Sequence, residues 1–140
     1  MIMETAQENK VATTVKDSEV IWHALFTTKM QLLGIKIPVP PITVRIEPSE
    51  VIEVPREELL DIIERLLGDS RVVNDFEQFE YDIIWNALEI FREQIYHAKK
   101  IGDPIFMAVK DGCSNTVKKY EKEDLRKLHD KVCKLRSFFA

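Results

Sequence analysis

The sequence predicts an α+β fold, mostly helical, in which about four helices pack on a small antiparallel sheet built from two hairpins. Three observations carry that expectation. Apolar residues recur at intervals of three and four along 72–95 and 125–139, the spacing of one buried helical face. Around 42–54 and 105–120 the pattern shortens to strand-like segments bounded by turns. Between these stretches stand Gly34, Gly68, Gly102 and Gly112, residues that end helices or reverse chains.

Residues 1–16 are polar and aperiodic and are expected to form a flexible N-terminal arm, with 17–140 as a single globular domain. A helix is expected from Ser18, a suitable N-cap, to Gly34. Its apolar residues, among them Val20, Trp22, Leu25 and Leu33, cover more than one stripe, so it should be well buried. Prolines 38, 40 and 41 then exclude helix. Ile42, Val44 and Ile46 alternate with Thr43, Arg45 and Glu47 as a half-buried strand does, and a turn at 47–50 leads to a second strand at 51–54. Pro55 suits the first position of a helix over 55–67, with Glu57 and Glu58 in its first turn.

A long helix is expected from Arg71 or Asn74 to Lys100, with Asn74 and Glu77 spaced as a capping box. Gly102, Asp103 and Pro104 end it. Strands at 105–110 and 115–120 follow around Asp111 and Gly112, and a last helix runs from about Glu121 to Phe139. On a helical wheel Leu125, Leu128, Val132, Leu135 and Phe139 form one stripe, a seam for packing or for a partner. The basic residues of that segment spread over the remaining surface, where Glu123 with Lys127 and Asp130 with Lys134 are spaced as i,i+4 ion pairs.

The charge is uneven. Residues 1–96 hold 9 Lys and Arg against 18 Asp and Glu, whereas 97–140 hold 11 against 6. Such polarity suits an acidic partner for the rear portion, or the acidic portion of a neighbouring copy. Lys99, Lys100, Lys110, Lys118 and Lys119 gather on or near the second hairpin, where Phe106 and Tyr120 could share a face with them. Lysines beside exposed rings suit a phosphate backbone or an acidic protein surface, and lysines on a hairpin also guard an edge against aggregation.

Motifs for chemistry are missing: no phosphate loop, no dinucleotide fingerprint, no zinc-protease or nucleophile-elbow signature. His129 and Cys133 lie one turn apart, yet zinc needs three or four ligands, so no metal or cofactor is expected. Glu89, Glu93 and His97 follow at four-residue steps without the Glu-x-x-His pairing of di-iron bundles. No apolar run reaches 18 residues and the opening residues lack a signal pattern, which predicts no membrane and a cytoplasmic setting with both cysteines reduced. The expectation is therefore a non-enzymatic binding or assembly subunit that contacts protein partners or copies of itself. The alternative is a nucleic-acid-binding protein of winged-helix-like element order that contacts phosphates through the 105–120 hairpin. Against groove insertion, residues 71–96 carry an excess of acid.

Overall fold

The structure, a computed structural model, describes residues 16–34, 42–47, 50–68, 76–111 and 114–140, with side chains for all of these except 46, 47, 108–111 and 114–116. The arm expected over 1–16 lies outside these residues apart from Lys16, as do Asn74 and Cys113. The order of elements is α1 Asp17–Leu33, β1 Thr43–Glu47, β2 Glu50–Glu53, α2 Arg56–Leu67, α3 Gln78–Ile101, β3 Ile105–Asp111, β4 Ser114–Tyr120 and α4 Leu125–Phe139. The mostly helical α+β class holds.

Helix α1 is central. Val20, Ile21, Ala24, Leu25 and Leu32 are buried around more than one side of it, and it touches α2, α3, α4 and β3. Its ends differ from expectation. Lys16, not Ser18, takes the N-cap position without a side-chain bond, and Gly34 is extended at φ −83° rather than left-handed. Arg56 of α2 closes the far end by donating from Nε to the Leu32 carbonyl at 2.9 Å, so an orphan helix carbonyl is satisfied by a neighbouring helix. Helix α2 buries Leu59, Ile62, Ile63 and Leu66, a four-residue stripe, and has Pro55 at its N-cap rather than inside its first turn.

Helix α3 spans 24 residues, roughly 36 Å at the usual rise. Its capping box is formed by Glu77 and Glu80, one turn later than the Asn74–Glu77 spacing suggested, and the Glu77 N–H donates to the Glu80 carboxylate at 2.9 Å. Gly102 ends α3 at φ +82°, and a Cβ there would meet nothing within 4 Å. The need for glycine is thus conformational, not steric. Leu125, Leu128, Val132, Leu135 and Phe139 of α4 are all buried, packing that helix antiparallel on α3. Arg136 pairs with Glu89 near one end of this contact, where Tyr81 and Phe139 rings lie 5.3 Å apart.

The hairpins form two separate two-stranded sheets, β1–β2 and β3–β4, which corrects the expectation that they join as one. Each is claimed by a different helix: β1 lies on α3, and β3 lies on α1. The outer edge of β1 is closed by α3 side chains. The Arg45 N–H donates to Asp82 at 2.7 Å, and the Arg45 guanidinium grips the same carboxylate at 2.6 Å. Burial pulls the Asp82 carboxyl upward, but the bonds from Arg45 and Gln78 outweigh it and hold the group below its ordinary value. The Arg45 N–H, which a further strand alongside β1 would need, is thereby taken by Asp82.

Candidate functional site

The second hairpin sorts its residues by strand alternation. Ile105 opposes Tyr120, Phe106 opposes Lys119, and Met107 opposes Lys118. Met107 and Tyr120 are fully buried, so Lys118, on the same face, also turns inward. It meets Glu19 of α1 at 2.7 Å, with the two side chains only 12% and 14% exposed. Lys119 turns outward with Phe106, which is 59% exposed, and Val117, which is 64% exposed. The Lys119 ammonium stands 5.8 Å from the Phe106 ring centroid and 2.8 Å from Glu121.

The proposed basic site is therefore divided. Lys119 is at the surface; Lys118 is a structural partner of Glu19. Tyr120 is not a surface ring, because the core beneath β3 and β4 takes it in, and Phe106 occupies that role instead. Burial pushes the Tyr120 hydroxyl up to about 12, with Glu19 and Asp124 adding to the shift. Lys99 and Lys100 are exposed on the last turn of α3, where bases suit the helix dipole. The side chain of Lys110 lies outside the described ones. The seam of α4 is consumed by packing within the chain, and Arg126, Lys127 and Lys134 on its outer side are exposed.

Several opposite charges meet inside the molecule. Lys118 pairs with Glu19, Lys131 with Asp17 at 2.7 Å, and Arg136 with Glu89, each joining the basic rear portion to the acidic front portion. Hydrogen bonds from Arg92, seconded by Arg136, hold the Glu89 carboxyl down to about 2 against the opposing pull of burial. Glu123–Lys127 and Asp130–Lys134 do not close, since these residues point to water where such a pair gains little, whereas the bases flanking the seam reach acids on neighbouring helices. Lys122, Arg126, Lys127 and Lys134 stay exposed, and among the described residues none of them forms an ion pair.

An acidic surface that sequence reading missed lies around β2. Every residue of β2 is exposed, including Val51 at 58% and Ile52 at 42%. Val44, Val54, Ile62 and Phe79 line a groove of about 720 Å³ beside Ile52, and Glu58, Asp61 and Arg65 of α2 border it. Among the described residues neither of these acids forms an ion pair, while Glu64 is held by Lys29. The signal was present in the string Glu50-Val51-Ile52-Glu53: two adjacent apolar residues in a strand point to opposite faces, and a hairpin edge cannot cover both.

A smaller cavity of about 310 Å³ between β1 and α3 contains Arg45 and Asp82, whose charges satisfy each other. Among the described residues no three of His, Cys, Asp or Glu converge as metal ligands. The Cys133 sulfur lies 3.8 Å from His129 Nδ1 within one turn of α4, a contact the helix itself imposes. No helix among the described residues is long and apolar enough to cross a membrane. The chain matches no protein-family model, and neither a curated protein nor a solved structure shows significant similarity to it.

Proposed function

We propose that this protein is a non-enzymatic binding or assembly subunit that uses two surfaces of opposite charge. The acidic surface is built by β2 and α2; the basic one by the end of α3 and the outer side of α4. The supporting observation is that both surfaces survive the internal pairing: Glu50, Glu53, Glu58 and Asp61 on one, and Lys99, Lys100, Arg126 and Lys127 on the other, remain exposed. Complementary proteins, or copies of the chain joined head to tail, would neutralise them. Light scattering between about 20 mM and 500 mM salt tests the self-assembly form of this reading, since screening shortens the reach of exposed charges. A mass above the monomer at low salt that falls as salt rises is expected. A monomer throughout removes the head-to-tail form.

One observation favours a second reading, nucleic-acid contact through the second hairpin: the outward face combines Lys119 with the exposed Phe106 ring. A single-stranded oligonucleotide would stack on Phe106 and place a phosphate near Lys119. In fluorescence anisotropy at about 50 mM salt, binding that is lost in a Phe106→Ala, Lys119→Glu double variant would support it. Equal binding by both proteins, or none by either, ends this reading.

A further inference from the structure

In the second hairpin β3 lies against α1, and among the described residues no strand pairs with the outer edge of β4. Asp111 pairs with Ser114 across a two-residue connection, and a connection of that length closes on a hydrogen-bonded pair. Bonded and non-bonded pairs then alternate along the ladder. Met107–Lys118 and Ile105–Tyr120 are bonded to each other, whereas Ala108–Val117 and Phe106–Lys119 are not. The backbone N–H and C=O groups of Val117 and Lys119 therefore point away from β3. The charges beside this edge are already met within the chain: Lys118 is held by Glu19 at 2.7 Å and Lys119 by Glu121 at 2.8 Å. Val117, at 64% the most exposed large apolar residue among the described ones, stands at the centre of the seven-residue strand.

We infer that two copies of the chain join by antiparallel pairing of β4 with β4 about a two-fold axis at Val117, making one continuous sheet from the two hairpins. This goes beyond the charge-driven contacts proposed above, because the edge is neutralised from within and gives a charged strand nothing to complement. What fits it is a strand without excess charge and with a β-branched residue at its centre, and β4 of a second copy is such a strand. Phe106 is diagonal to Val117 on the same face and is 59% exposed, so apolar surface extends from each hairpin up to the axis.

The residues of β4 also select the register. Outward backbone groups must meet outward groups, which places the two-fold axis at a residue and never between two. An axis at Lys118 or Lys119 sets a lysine directly opposite its own copy, and like charges directly opposite are destabilising. An axis at 115 or 116 matches only 114–116 or 114–118, a part of the strand. At Val117 the whole of Ser114–Tyr120 is matched: Val117 stands opposite Val117, Lys119 opposite Asn115 and Lys118 opposite Thr116 of the second copy. The outward groups of Val117 and Lys119 then find backbone partners. The lysines that would guard the edge in other registers leave this one open.

Light scattering at about 500 mM salt, where charge-driven association is screened, reads this contact by itself. The unaltered protein is expected to have the mass of two chains. Val117→Lys puts like charges at the axis on a side chain that points to water, so circular dichroism should show the fold retained while the dimer weakens at least about tenfold. A second measurement needs no variant: amide hydrogen exchange at Val117 and Lys119 should slow as protein concentration rises through the range in which the dimer forms. A monomer at about 500 mM salt, equal dimerisation by a folded Val117→Lys protein, or exchange at these two amides that does not change with concentration would each overturn the inference. Assembly seen only at low salt would support the head-to-tail reading and overturn this one, whereas a dimer indifferent to salt would do the reverse, so the two failures are distinguishable.

Discussion

Replacing Phe91 with alanine is expected to destabilise the protein by about 3–5 kcal/mol, the usual cost of emptying a buried aromatic site. Phe91 is completely buried near the middle of α3. Its ring meets the His23 ring of α1 edge-on, with centroids 4.8 Å apart. Removing it opens a void between α1 and α3, and close-packed neighbours relax only partly into such a space. Since single domains are stable by roughly 5–15 kcal/mol, the loss is a large share of the whole. Urea denaturation followed by circular dichroism measures it as a lower midpoint. Phe138→Ala, at a ring 58% exposed, serves as the contrast and should cost less than about 1 kcal/mol. Equal losses at the two sites would mean that the α1–α3 contact is not the centre of stability.

The helices were legible because their information is local. A stripe such as Leu125, Leu128, Val132, Leu135 and Phe139 can be drawn on a wheel, and all five residues are buried. Helix ends were less legible, since the cap of α3 moved from Asn74 to Glu77, and both residues stand three before an acid. What sequence could not supply is the partner of each charge. Lys118 and Lys119 are adjacent and so lie on opposite faces of β4, but the inward choice depends on Met107 and Tyr120 fitting beneath the hairpin. Glu19 reaches Lys118 across 99 residues of chain, a proximity that no spacing rule contains. The division of the basic site into a structural lysine and a surface lysine follows from that contact. Likewise, the openness of β2 depends on which elements fail to cover it, and that is a property of the whole arrangement.

Acidification from pH 6.5 to 4 is expected to lower stability by ~3 kcal/mol through His23 alone, at about 1.4 kcal/mol for each unit by which the folded and unfolded values differ. His23 is 7% exposed within α1, and burial lowers its value from 6.5 to about 4. Its Nε2 lies 3.1 Å from the Thr27 hydroxyl one turn away. Between these two values the unfolded chain binds a proton that the folded protein refuses. The unfolded state holds more protons there, so stability rises with pH across this window and falls as pH drops through it. Above pH 6.5 both states are neutral at this residue and it contributes no slope. Glu89 acts in a lower range: its carboxyl is held down to about 2, so its contribution is present above 4.5 and is lost as pH falls from there through about 2. His129, lowered by burial and by Lys99 and Arg92, adds to the slope in the same sense as His23 but from a more exposed position. Urea midpoints at half-unit steps from pH 7 to 4.5 would give the slope, and His23→Leu, which removes the proton-binding group at similar volume, should flatten most of it. An unchanged slope in that variant would show that the acid sensitivity of the fold arises at another group, and would remove His23 as its source.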